Sequence, residues 1–195
     1  MSIFKYFFPK SKINQFNELK NNNFFPLTKS DIILIKSYSL FGKIIRIKSK
    51  SDSGHSIYNH AERYFANGRS ISQQWNVEIH NIKRFFKGKH SISIWHNDKY
   101  TQNQRNTLIS NSLIHIGRSY DFLSVLGHFF DWIFRSKYFS KKFNLKHKTN
   151  CAEFVTFIER SINSNSSYKS TEETTPDDIF DYISNHPDWK EIYHT

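Results

Sequence analysis

The sequence contains one cysteine in 195 residues, which excludes an intramolecular disulfide and any zinc cluster built on cysteine. Its six glycines form neither a phosphate-cradling loop nor the paired-glycine fingerprint of a dinucleotide site. There is no His-Glu-x-x-His helix, and the ten histidines do not cluster at ligand spacing, so neither metal nor cofactor is implied. Acidic residues are scarce, 17 Asp and Glu against 28 Lys and Arg, for a net charge of +11. That excess attracts polyanions such as nucleic acid, anionic lipid or acidic wall polymer. Charge alone does not choose among them. The basic residues are scattered among Asn, Ser and Phe rather than gathered into an arm, which suits a generally cationic surface at least as well as a dedicated binding face, and nucleic acid is not the expected partner.

Long apolar runs are missing as well. The most apolar stretch, Phe122 to Phe134, is interrupted by Gly127, His128 and Asp131, too short and too polar to span a bilayer. The start MSIFKYFFPKSK lacks the apolar core and small-residue cleavage site of a secretory signal, and the expectation is a cytoplasmic or virion-associated protein. No internal repeat is present. The length suits one domain, read as a basic aromatic lead-in over 1–27 and a single domain over 28–195.

Within that domain Asp31 to Ile35 is a β-branched run typical of a buried strand, and Ser39 to Arg46 suits a short helix. A Ser/Gly/Asp loop follows from Ser49 to His55. Residues 57–66 and 69–79 are predicted as two strands joined at Asn67-Gly68, the dipeptide favoured in tight hairpins because both positions tolerate positive φ. A further strand is expected from Ser91 to His96, then a helix from Gln102 to Ile116 ended by Gly117. Tyr120 to Phe139 is heavily aromatic. Thr175-Pro176-Asp177-Asp178 opens a last helix with a cap, a proline at the first position and early acids.

The single cysteine stands in Asn150-Cys151-Ala152-Glu153-Phe154-Val155. With Asn150 as N-cap, Glu153 occupies the third helical position, and the two form a capping box that starts the helix on Cys151. There the helix dipole and unpaired N–H groups favour a thiolate over a thiol with the ordinary value of about 8.5. A cysteine nucleophile needs a base, and His60 is the candidate, on a predicted strand just before the Asn-Gly turn. His55, in Gly54-His55-Ser56, is the rival.

The ordered set of Asp31-Ile-Ile-Leu, Asn59-His60-Ala61-Glu62-x-Tyr64 ending in Asn67-Gly68, Ile116-Gly117-x-x-Tyr120-Asp121, and Asn150-Cys151-Ala152-Glu153-Phe154-Val155 resembles the circularly permuted papain-like enzymes of the NlpC type. These include the YiiX-like amidases and phage relatives, in a superfamily that also holds lecithin retinol acyltransferase. The likeness covers residues 28–185, and it departs from the commoner Cys-Ser-Glu at the residue after the thiol. It implies an α+β papain-like core, with an antiparallel sheet packed against the cysteine helix and His60 brought to the thiol. Cys151 is then the nucleophile and His60 the base, with a third polar residue to orient the imidazole. Ser72 is the favoured third residue. A strict two-residue hairpin would put Gln73 on the face of His60, and one extra residue would put Ser72 or Gln74 there. Glu62, two residues along the same strand, could supply a charge instead. Tyr120 and Asp121 are given structural roles. The implied activity is a cysteine amidase or peptidase acting through an acyl-enzyme on a peptidoglycan-type peptide or small amide, the positive charge suiting an anionic cell-wall polymer. Two alternatives keep the scaffold: a lipid acyltransferase or thioesterase at a membrane surface, drawing on Phe122 to Phe139 and on Phe4, Tyr6, Phe7 and Phe8, or a catalytically silent binding protein.

Overall fold

The computed structural model describes residues 27–39, 42, 57–87, 89–119, 134, 135, 138, 150–162 and 174–195. These form a six-stranded, all-antiparallel sheet in the order β4-β3-β2-β1-β5-β6. The strands are β1 (Ile32–Ser37), β2 (His60–Ala66), β3 (Arg69–Gln73), β4 (Val77–Asn81), β5 (His90–Asn97) and β6 (Trp189–His194). The helices are α1 (Lys83–Phe86), α2 (Gln102–Ile114), α3 (Cys151–Arg160) and α4 (Pro176–Asn185).

β1 is central and buried on both faces, which is why its apolar run is continuous rather than alternating. Ile32 and Leu34 point to one side, where they pack with Ala61 and Trp95 beneath Ala152 and Val155 of α3 and Ile179 and Ile183 of α4. Ile33 and Ile35 point to the other, against Phe85 and Phe86 of α1. A third cluster joins Ile71 and Val77 of the sheet to Leu108 of α2 and to Phe154 and Ile158 of α3. Burying each such side chain contributes about 1.5–3 kcal/mol, and these clusters fix α3 across β2 and β3.

Several expectations need adjustment. The stretch 69–79 is two strands, because the chain bends at Gln74–Asn76 and turns back as β4. Helix α2 stops at Ile114, and Gly117 follows at φ +87. β6 was not anticipated: its sequence, WKEIYH, is half-exposed and polar, as befits a sheet edge. The lead-in, the 49–55 loop and His55, and the aromatic stretch with Tyr120 and Asp121 lie outside the described residues, apart from Leu27, Phe134, Arg135 and Tyr138. So does the helix expected over Ser39 to Arg46, except for Ser39 and Gly42. Among the described residues no helix is long and apolar enough to cross a membrane.

Candidate active site

Helix α3 begins as its cap requires. Asn150 is extended (φ −92, ψ 175), and its Oδ1 accepts the N–H groups of Ala152 and Glu153, each at 2.9 Å. Glu153 Oε2 accepts the Asn150 N–H at 2.9 Å and completes the box. This network holds the first turn without using the N–H of Cys151. The thiol itself is buried, at 6 % exposure.

The approach to His60 is clamped from two sides. Asn59 accepts the Ser37 N–H through Oδ1 (2.9 Å) and donates Nδ2–H to Ser37 O (3.0 Å), so a side chain extends the ladder with β1 by one position. Gly42 closes over this clamp, where a Cβ would stand 2.8 Å from Ser37 O and closer still to Asn59 Nδ2. From the other side Asp177, in the first turn of α4, accepts the N–H groups of Ile57 (2.9 Å) and Tyr58 (2.8 Å).

His60 is the first residue of β2, and its imidazole is hydrogen bonded to the Cys151 thiol. The two groups meet at the end of the sheet where β2 and α3 both begin. Nε2 donates to Glu62 Oε1 at 2.9 Å. Burial disfavours the imidazolium, but the charge and hydrogen bond of Cys151, joined by those of Glu62, raise it to about 10.

Glu62 is fully buried and receives four donors: His60 Nε2, Arg84 Nη2, Ser70 Oγ, and Ser72 Oγ at 2.8 Å. Burial opposes its ionisation, yet the hydrogen bond and charge of His60, the Arg84 charge and the Ser70 hydroxyl hold the carboxyl at about 2. A carboxylate with this many donors is a permanent anion at neutral pH.

The arrangement settles where the candidate third residues stand. The β2–β3 hairpin carries a register shift between Tyr64 and Ala66. That is the one-residue slip that turns Ser72, not Gln73, toward the face of His60 and Glu62. Ser72 nevertheless holds the carboxylate rather than the imidazole. Gln73 faces away, its Nε2 donating to Ser119 O at 3.0 Å, and Gln74 Oε1 accepts from Arg84 Nη1 at 3.4 Å. The residue on the imidazole is Glu62.

Sequence reasoning missed two supporting networks. Arg63, on the opposite face of β2 from Glu62, is buried and bridges to Glu159 of α3 (Nη2–Oε2, 2.6 Å) while Nη1 donates to Ser30 O at 2.9 Å. Burial raises Glu159 above the ordinary carboxyl value, against the pull of Arg63. At the start of β1, buried Asp31 takes His96 Nδ1 at 2.8 Å and the Thr28 N–H at 2.7 Å, with Arg105 Nη1 at 3.5 Å. Burial lifts Asp31 to about 6, although the Thr28 N–H, His96 and Arg105 all lower it. This cluster ties β1 to β5 and α2. The only signal in the sequence was Asp31 and His96 bordering apolar strand residues, since Arg105 stands in the polar run Gln102 to Thr107.

No protein-family model matches the chain, and no curated protein does. Among solved structures, the crystal structure of the metalloprotein YiiX from Escherichia coli O157:H7, DUF1105, superimposes with a TM-score of 0.59 at 14 % identity, over 86 % of this chain and 97 % of that one. The chain has the YiiX fold. That fold is the NlpC-type permuted papain-like architecture, with an α+β core in which the histidine strand precedes the cysteine helix. In the YiiX-type core described here, Glu62 is saturated by its four donors and His60 Nε2 is committed to it. Among the described residues no three His, Cys, Asp or Glu side chains are grouped to hold a metal ion, so the described residues around Cys151 do not by themselves fit a metal centre.

Proposed function

We propose that this protein is a cysteine hydrolase that cleaves an amide bond through an acyl-enzyme. The observation that carries the reading is the contact of the Cys151 thiol with an imidazole whose other nitrogen rests on a buried carboxylate. His60 takes the thiol proton, and the sulfur attacks the carbonyl carbon to form the C–S bond. The negative oxygen that develops is placed to receive the N–H of Cys151 at the start of α3. As the C–N bond breaks, His60 returns its proton to the departing amine. Water then gives its proton to His60 and attacks the thioester, and the acid leaves as the thiol is restored. Glu62 touches neither reactant and acts through His60. It fixes the ring's orientation and stabilises the imidazolium, while Ser70, Ser72 and Arg84 fix Glu62 in turn.

The substrate class that fits is a peptidoglycan-type peptide or another small amide, and the net charge of +11 favours an anionic wall polymer. The test is amine release from purified cell-wall peptides, followed by mass spectrometry for wild type, Cys151→Ala and His60→Ala, with folding checked by circular dichroism. Loss of release in both folded variants is expected. Undiminished release by Cys151→Ala would overturn the reading.

A further inference from the structure

His80, on β4, lies opposite Ser70 of β3. Residues facing one another across an antiparallel pair project from the same side of the sheet, and Ser70 Oγ donates to Glu62, so the His80 imidazole lies on the face that carries Glu62. Helix α1 covers this face, packing Phe85 and Phe86 against Ile33, Ile35 and Tyr64. From that helix Arg84 reaches Glu62. His80 is therefore set beside two of the supports, Ser70 and Arg84, that hold Glu62 on His60. The charged and titratable groups its ring faces are Arg84 of α1, Glu62 and His60 of β2, and Glu78 of β4 itself.

The acyl-transfer chemistry gives this imidazole no part, yet its surroundings decide its charge. Its Nε2 is withdrawn from solvent and has no hydrogen-bond partner among the described residues, and the same is true of Arg84 Nε. A neutral ring can leave one nitrogen as a bare lone pair, whereas an imidazolium is a donor at both. Protonation would thus bury an unmatched N–H as well as a charge. Of the groups around the ring, Arg84 and His60 oppose a proton there, while Glu62 and Glu78 favour one. Burial is the largest influence and sides with Arg84 and His60, so the ring is held below its ordinary 6.5.

Two protons that repel one another do so reciprocally: a proton on His80 weakens the hold of His60 on its own as much as the reverse. The thiolate is the nucleophile, and it persists to the extent that His60 keeps the proton it has taken. We propose that His80 regulates the thiol–imidazole pair as an acid-side brake: neutral, it leaves Arg84 and the His60 imidazolium undisturbed on Glu62, and protonated, it sets a further cation against both. The inference rests on the hydrolase reading and deepens it, since it takes Cys151 and His60 as the reacting pair. Between pH 5 and pH 8 neither Glu62, at about 2, nor His60, at about 10, changes charge. Of these three groups His80 is the one that titrates there.

The test follows alkylation of Cys151 by iodoacetamide in the full chain, by intact mass at intervals from pH 5 to pH 8, for wild type, His80→Gln and His80→Asn, with circular dichroism at each pH. The quantity read is the ratio of variant to wild-type rate. It should climb roughly three- to tenfold from pH 8 to pH 5, the effect of up to one pKa unit on His60. NMR titration of the His80 ring in the wild type should place its proton uptake within the span over which the ratio changes. A ratio that stays flat across the range, however slowly both variants react, overturns this inference alone and leaves His80 a packing residue. Proton uptake at or above the ordinary 6.5 in the wild type does the same, whether or not a variant folds. A wild-type thiol inert at every pH overturns the hydrolase reading and this inference with it.

Discussion

Arg63 and Glu159 form an ion pair at 2.6 Å across the interface between the histidine strand and the cysteine helix, both side chains withdrawn from solvent. Arg63 lies three positions beyond His60 along β2, and about two helical turns separate Glu159 from Cys151 along α3. The pair therefore sets the distance and rotation of the two elements that carry the reactive groups. Arg63 Nε and Glu159 Oε1 have no hydrogen-bond partner among the described residues, so the pair is a costly one to bury and costlier to break.

Arg63→Ala should lower unfolding free energy by about 3–5 kcal/mol, because it strands a buried carboxylate. Arg63→Met combined with Glu159→Leu should recover much of that loss, since neither charge is then buried. Urea denaturation monitored by circular dichroism measures both. Equal instability of the single and double variants would show that the pair holds no unpaired-charge penalty.

Glu62→Gln should slow alkylation of Cys151 by iodoacetamide at pH 6 by about tenfold or more, one pKa unit on the imidazole being worth about 1.4 kcal/mol. Ser72→Ala should slow it by only about two- to threefold, since His60, Arg84 and Ser70 still hold the carboxylate. A larger effect at Ser72 than at Glu62 would return the orienting role to the serine.

The stability of the protein should depend on pH through the same pair. His60 binds its proton more tightly folded, up to about 10, than its ordinary 6.5. Its contribution is complete below 6.5 and declines as pH rises toward 10. Glu62 is shifted the other way, from 4.5 to about 2, so its contribution is complete above 4.5 and disappears as pH falls toward 2. The urea midpoint of the wild type should therefore drop between pH 6 and pH 9. In His60→Ala that drop should shrink, and an identical drop in both proteins would contradict the assignment.

Asn150→Ala should cost about 1 kcal/mol, the usual value of a lost N-cap. It frees the N–H groups of Ala152 and Glu153, while the Glu153 carboxylate keeps the backbone N–H of position 150. Thermal unfolding reads the stability change. The Cys151 alkylation rate in the same variant should fall as well, because the frayed turn is the one that holds the thiol against His60.

What the sequence made legible was local. The Asn150–Glu153 box, the Asn67–Gly68 turn and the Thr175–Asp178 cap each spend their chemistry within four residues, and all three are where the spacing put them. The all-antiparallel α+β core followed from the ordered motifs. The bend at Gln74 was hidden because β3 and β4 together read as one polar-apolar alternation, and β6 because an edge strand has little apolar signal. Glu62 stood among the alternatives, but its place on the imidazole depended on donors from two other elements. Ser70 and Ser72 come from β3 and Arg84 from α1, and no periodicity links them to His60. Arg63–Glu159 and Asp31–His96–Arg105 were illegible for the same reason.

The latch between strand and helix also dictates when in folding the thiol and the imidazole come together. Arg63 and Glu159 are 96 residues apart in the chain, and closing so long a segment is entropically expensive and slow relative to forming a helix or hairpin. A nascent or partly unfolded copy can own its hairpin and its capped helix and still have no base beside its thiol. The pairing of Cys151 with His60 is thus a property of the finished topology, acquired in the same event that brings Arg63 to Glu159.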